Sequence, residues 1–266
     1  MKIIRFQDPD GMVHFGESVD DQTACLIEGN IFYDFEVTNR RLAVSQLLAP
    51  VEPKSILCIG LNYRQHAEET GAKIPEHPVL FIKAVNALNH PGAPIVIPKI
   101  APGQVDYECE LAVVIKTPAK NVSKSEALDY VLGYTCANDV SARRWQKEGG
   151  GKQWCRGKSF DTFCPLGPSL VTREDIPNPN ALKIRTIING ITMQDSSTSD
   201  MIFDVPTLIS FLSEGTTLLP GTVILTGTPQ GVGFARTPPI FLKAGDEVDI
   251  EIEGIGVLRN SVQEEM

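Results

Sequence analysis

The amino-acid sequence predicts a β-rich α+β protein with a small N-terminal unit. Short alternating or apolar runs, bounded by glycine, proline, asparagine and aspartate, recur along the chain and outnumber helical patterns. The helix signals are few and short. Pro50 and Pro53 punctuate the chain after a first group of strand patterns, which divides it into residues 1–52 and 53–266.

In the first unit, Lys2–Phe6, Val13–Phe15, Ala24–Ile27 and Ile31–Phe35 read as strands, with turn chemistry at Asp8–Gly11 and Glu28–Asn30. Arg41–Leu48 reads as a helix. Ser55–Gly60 is a buried strand pattern that opens the second unit. Asn62 is placed to cap a short helix that Gly71 stops. That helix carries little apolar surface, so it is expected to be weakly held and to act as a lid. His66 and Glu69 share one of its faces, where a carboxylate can orient an imidazole for proton transfer. An incidental surface pair has the same spacing.

Val79–Lys83 is a strand pattern ending in lysine, and Ala93–Pro98 is a short strand bordered by prolines. Val105–Ile115 reads as one strand that starts by alternating and ends apolar. Residues two apart on a strand share a face, so Asp106, Glu108 and Glu110 point the same way. Three neighbouring carboxylates repel each other and resist burial. A bound Mg²⁺, Mn²⁺ or Ca²⁺ would relieve that repulsion, and an exposed edge strand would also tolerate it.

Ser123 begins a capping box for a helix to about Tyr130. Val131–Ala137 is strand-like and runs into Asn138 and Asp139, where Asp139 is either presented at a sheet end or caps a helix. Gly149–Phe163 holds three consecutive glycines with Lys152, Arg156, Lys158 and Asp161, and reads as a shaped loop able to bind anions. Lys183–Asn189, Val223–Thr226 and Glu247–Ile252 are later strands. Asp204 caps a helix with Pro206 in its first turn and Gly215 beyond its end. The glycines of Thr226–Gly233 let backbone N–H groups approach a ligand carboxylate.

Composition narrows the partners. A net charge of −9 over 266 residues argues against nucleic acid or an anionic membrane. No apolar run is long enough to span a bilayer. The six cysteines form no CxxC pair and mostly lie in apolar contexts, as expected of reduced thiols in a cytoplasmic protein. The start, Met1–Phe6 followed by Asp8 and Asp10, reads as neither a signal nor a transit peptide.

Four segments in order are more specific than any one alone: Val105–Ile115, Asn138–Arg143, Gly157–Pro168 and Thr226–Gly233. With them the chain resembles the fumarylacetoacetate hydrolase superfamily from about residue 53 to its end. The resemblance implies a rolled, mixed β-sandwich, a smaller N-terminal domain and a homodimer. It implies Mg²⁺, with Mn²⁺ or Ca²⁺ as alternatives, held by Glu108, Glu110 and Asp139. Asp106 then stands outside the ligand set. The family lysine falls on Lys158, and the His-x-x-Glu dyad of the lid on His66 and Glu69. Tyr63, Gln146, Gly227 and Thr228 match substrate-contacting positions. Cys109 departs from the usual small or aliphatic residue between the glutamates, and Arg144 stands where many members carry an acid.

The chemistry so implied is that of a small 2-oxo acid with a second carbonyl, activated through an enolate that the metal stabilises. The expected outcome is C–C bond cleavage, as an acylpyruvate hydrolase or an oxaloacetate decarboxylase. The alternative is enol–keto tautomerisation of oxaloacetate. A metal-binding module without catalysis is a third possibility, against which the intact carboxylates, lysine and dyad argue.

Overall fold

The computed structural model describes residues 1–266. In chain order, five strands come first: β1 (Lys2–Gln7), β2 (Val13–Ser18), β3 (Thr23–Gly29), β4 (Phe35–Ala43) and β5 (Gln46–Leu48). β6 (Ser55–Gly60), α1 (Arg64–Glu69), β7 (Val79–Lys83), β8 (Leu88–Asn89) and β9 (Ile95–Ile97) follow. β10 (Val105–Asp106), β11 (Cys109–Ile115), β12 (Val131–Asn138) and β13 (Ser141–Ala142) bring in the acidic segment. Then come α2 (Trp154–Lys158), β14 (Cys164–Thr172), β15 (Lys183–Ile188), β16 (Ile191–Ser197) and α3 (Val205–Ser213). β17 (Thr222–Leu225), β18 (Glu247–Ile252) and β19 (Gly256–Glu264) close the chain.

One mixed sheet runs β4-β3-β2-β1-β14-β12-β11-β17-β6-β7, with β5 on β1 and β8 on β14. A second runs β16-β15-β18-β19-β9 and packs on the middle of the first, where β11 meets β15 and β12 meets β18. Burial on both faces explains why β11 and β12 read as unbroken apolar sequence: every residue of each is buried. The result is the expected β-rich α+β sandwich.

Several expectations are corrected. Arg41–Leu48 is not a helix but the end of β4, a two-residue connection and β5: Arg41 pairs with Cys25, and Leu48 with Arg5. Leu42, Val44 and Leu47 there cover a small separate core of Ile4, Phe6 and Ala24, so tertiary pairing overrides local helix preference. Ile31–Tyr33 is a turn rather than the start of a strand. The Ser123 box opens no α-helix. Its hydroxyl meets the Glu126 carboxylate at 2.6 Å, the Glu126 amide returns to the Ser123 carbonyl at 3.2 Å, and only a 3₁₀ turn over Ala127–Tyr130 follows.

The Gly149–Phe163 loop contains α2 and is preceded by a π-helical turn over Trp145–Gly149. β14, β16 and β19 are found by no pattern noted above. The helix capped by Asp204 is present: its carboxylate accepts from the Thr207 amide at 2.9 Å. All six cysteines are free thiols, and Cys58, Cys109, Cys136 and Cys164 are buried.

Candidate active site

Val105–Ile115 does not run through as one strand. It breaks at Tyr107 and Glu108, where the Glu108 amide donates to the Asn138 side chain at 3.1 Å. The break separates Asp106 from the two glutamates. Asp106 instead accepts from the amides of Tyr107, Gly233 and Phe234 at 2.8–3.0 Å and from Arg143 Nε at 2.8 Å. Its oxygens are saturated, which removes it from any ligand set and replaces the first reading of three acids in a row.

Glu108, Glu110 and Asp139 do converge. They are buried, and each offers an oxygen within 4.8 Å of the others. β11 supplies Glu110 and β12 delivers Asp139 just past its end, so adjacent antiparallel strands bring the acids to one spot. Asp139 is not a helix cap. Its oxygens take Lys83 Nζ at 2.6 Å and Lys158 Nζ at 2.6 Å. Glu108 takes Lys158 Nζ at 2.5 Å and Arg143 Nη2 at 2.7 Å. Burial alone would raise the Glu108 carboxyl, but Lys158 and Arg143 outweigh it and hold the group down at about 2.

Glu110 is different. Its only hydrogen bond is from the Gly227 amide, at 2.7 Å, and no side-chain cation pairs with it. Burial first, then the charges of Asp139 and Glu108, push it well above the usual carboxylate range. A buried carboxylate forced toward its neutral form beside two ionised ones is what a hard divalent cation would relieve. The all-oxygen donor set fits Mg²⁺, Mn²⁺ or Ca²⁺ and is a poor match for zinc.

Glu108 and Glu110 line a cavity of about 330 Å³, with Asp139 buried behind them. His66, Gln146, Lys158 and Thr228 line it, as do the aromatic rings of Phe81, Trp154 and Phe234. His66 Nδ1 lies 2.7 Å from Glu69 Oε1, which leaves Nε2 for the cavity. Glu69 also accepts from the Gly231 amide at 3.0 Å. The Gly231 carbonyl in turn accepts from Tyr107 Oη at 3.1 Å and Arg236 Nε at 3.2 Å, so the dyad is braced from the metal-site side. Thr228 Oγ1 accepts from Gln194 Nε2 at 2.8 Å. Lys158 lies deep in this network, not in a surface ion pair.

Of the four expected substrate-contacting positions, Tyr63 and Gly227 fall outside the cavity lining, and Glu69 and Asp139 stand behind it. Tyr63 is fully buried, and its ring packs in the main core. Gly227 acts from behind, through its amide on Glu110. Its φ of +98° and a Cβ that would come within 2.7 Å of Asn62 explain the glycine. Asn62 does not cap α1. Its carboxamide donates to the carbonyls of Phe203 and Thr226 and accepts from the Phe203 amide at 2.9 Å. The start of the expected lid is therefore anchored, because a buried amide holds it where apolar surface does not.

Lys83, Arg143, Gln194 and Phe234 were not expected in this site. A charged residue ending the otherwise apolar Val79–Lys83 was the one signal for Lys83, and Arg143 lay within a motif without a role. The Cys109 amide donates to Gln194 Oε1 at 2.9 Å, which also accepts from Thr186 Oγ1 at 2.7 Å.

A family model described as fumarylacetoacetate hydrolase C-terminal matches residues 55–263. The chain is 48% identical to a fumarylacetoacetate hydrolase domain-containing protein 2 homolog of Dictyostelium discoideum, over 85% of this chain and 78% of that one. It is 49% identical to a Xenopus laevis protein named as a mitochondrial oxaloacetate tautomerase, over 81% and 68% of the two chains. A crystal structure of 2-hydroxyhepta-2,4-diene-1,7-dioate isomerase from Mycobacterium marinum superposes with a TM-score of 0.84 at 41% identity, covering 100% of this chain and 99% of the other.

Proposed function

The chain belongs to the fumarylacetoacetate hydrolase family, and from that premise we propose that it is a divalent-cation-dependent tautomerase of small 2-oxo acids, oxaloacetate foremost. The observation that carries this is the convergence of Glu108, Glu110 and Asp139 beside Lys158 at one end of a cavity whose His66–Glu69 pair offers a single free imidazole nitrogen. Relatives at 48–49% identity that are named oxaloacetate tautomerases favour the tautomerase over the cleavage expected from the sequence.

Held by the three carboxylates, Mg²⁺ would supply Lewis acidity toward the 2-oxo group. The residues do the rest. Lys158 sets a fixed positive charge against the oxygen on which negative charge develops. His66 Nε2 takes the proton from C3 as the C3–H electron pair moves into the C2–C3 bond and the C2–O π pair moves onto the oxygen, then gives that proton to the oxygen to complete the enol. The return to the keto form runs the same transfers backward. Glu69 holds the ring in the tautomer that leaves Nε2 unprotonated. Gln146 and Thr228 hold the substrate, and Phe81 and Trp154 keep water from the reacting face.

The same dyad can orient a water for attack on a second carbonyl, which keeps acylpyruvate hydrolysis as the second reading. We further propose that the chain works as a homodimer. Exposed Leu80, Ile82 and Val85 on and beside the edge strand β7 support that. No helix is long and apolar enough to cross a membrane. The test is to add enzyme to enol-oxaloacetate with Mg²⁺ or with EDTA, following enol absorbance and pyruvate separately. Loss of enol without pyruvate, abolished by EDTA, is expected. Pyruvate formation at the rate of enol loss would replace the tautomerase with a lyase.

A further inference from the structure

We propose that Lys147, with the carboxamide of Gln146 beside it, forms a subsite at the cavity mouth for a second carboxylate, so that 2-oxo diacids are preferred over 2-oxo acids with a neutral tail. The inference rests on the 2-oxo acid reading above and adds the substrate class.

The charge inventory of the cavity motivates it. Four buried carboxylates (Asp106, Glu108, Glu110 and Asp139) face three buried cations (Lys83, Arg143 and Lys158). A divalent cation turns that deficit of one positive charge into a surplus of one. The carboxylate next to the 2-oxo group uses the surplus, and nothing in the buried set is left for a second anionic group. Burying an unpaired carboxylate against Phe81 and Trp154 would be costly. A diacid therefore needs one more cation.

Lys147 is that cation. It lines the same cavity but enters none of the ion pairs that hold Arg143 and Lys158. Its ammonium lies 4.9 Å from the centre of the Phe234 ring, and the Arg143 guanidinium lies 4.4 Å from the same ring. Phe234 is itself fixed, because its amide donates to Asp106 at 3.0 Å. The ring thus spaces the committed cation inside from the free one at the mouth. Gln146 is oriented by the same arginine: Arg143 Nη1 donates to Gln146 Oε1 at 3.0 Å, which leaves both N–H bonds of Nε2 available. The π-helical turn over Trp145–Gly149 sets these adjacent side chains toward one cavity.

The test uses two probes that carry no hydrogen on C3 and so cannot enolise. Difluorooxaloacetate has two carboxylates, and trimethylpyruvate has one carboxylate and a neutral tail. Each is titrated calorimetrically into the full chain with Mn²⁺ at low salt. Lys147 is solvent-exposed, so Lys147→Met should weaken difluorooxaloacetate about fivefold and Lys147→Glu about twentyfold. Trimethylpyruvate should bind all forms alike, Lys147→Arg should restore the diacid, and the effect should fade as salt rises. Equal losses for both probes, or no loss for either, would overturn the subsite. If neither probe binds the unsubstituted protein, the 2-oxo acid reading itself fails and takes the subsite with it.

Discussion

Glu110 has the clearest individual signature, because it alone of the three convergent acids lacks a cationic partner. Glu110→Gln should lower Mn²⁺ affinity at least about 100-fold, since it removes a charged oxygen donor. The metal-free variant should be as stable as the unsubstituted protein or more so, because a neutral amide replaces a buried acid whose ionisation its neighbours oppose. Titration with Mn²⁺ and thermal melts in EDTA check both halves. Lys158→Met should separate charge from coordination. Turnover should fall on the order of 100-fold while Mn²⁺ binds within a few-fold of normal. His90 tests a site far from the acids. Burial, then Arg5, lower its pKa from 6.5, and its Nδ1 accepts the Ala49 amide at 3.0 Å. Above pH 6.5 neither folded nor unfolded chain protonates it. Below that pH the unfolded chain takes up a proton that folded His90 resists, so stability is lost as pH falls through the folded value. His90→Asn should flatten the melting temperature between pH 6.5 and 5 relative to the unsubstituted protein.

At the scale of elements, the short turns matter more than the long strands. The π-helical turn carries Gln146 and Lys147, and α2 carries Lys158, with Gly157 packed between them. A Cβ at Gly157 would overlap the backbone nitrogen of Gln146 and come within 2.8 Å of the Ala142 carbonyl. Gly157→Ala should therefore push the turn outward. Affinity for a 2-oxo acid should drop about tenfold or more, because a displacement near 1 Å is costly at a positioned site. Mn²⁺ affinity should change little, since none of the three acids lies on either element. Calorimetry with each ligand separates the two effects, and equal losses would mean that α2 also shapes the acidic cluster.

Across the whole molecule, β1 joins the main sheet by pairing with β14, Lys2 opposite Val171 and Ile3 opposite Leu170. We keep the division at residue 52/53 as a proposal about units, with this ladder as their joint. A fragment of residues 53–266 would bare one edge of β14 and the apolar surface of Leu170 and Val171, both fully buried in the intact chain. It should retain the acidic cluster, which draws nothing from residues 1–52, and it should self-associate through the open edge. Light scattering and Mn²⁺ titration of the fragment are the measurements. A monodisperse, stable fragment would show the first unit to be dispensable to the sheet.

The sequence by itself determined the strand-rich class, the family, and the residue types that converge. Alternation marked Asp106, Glu108 and Glu110 together, because burial leaves its imprint on single strands, and the family resemblance singled out Glu108, Glu110 and Asp139. It placed His66 three residues before Glu69, a spacing that one helical turn brings together. It misjudged Arg41–Leu48 and Asn62, where local preference gave way to partners far along the chain, and the Ser123 box, whose local bond forms with only a 3₁₀ turn behind it. Only the tertiary structure decided that Asp106 serves Arg143 and two loop amides, that Lys83 sits on Asp139, and that Tyr63 lies in the core. Only it separated Lys147 from the committed cations around it. Whether a charged side chain is paired depends on which strands and loops lie beside it. Those neighbours are set by long-range pairing, which no spacing within a short segment records.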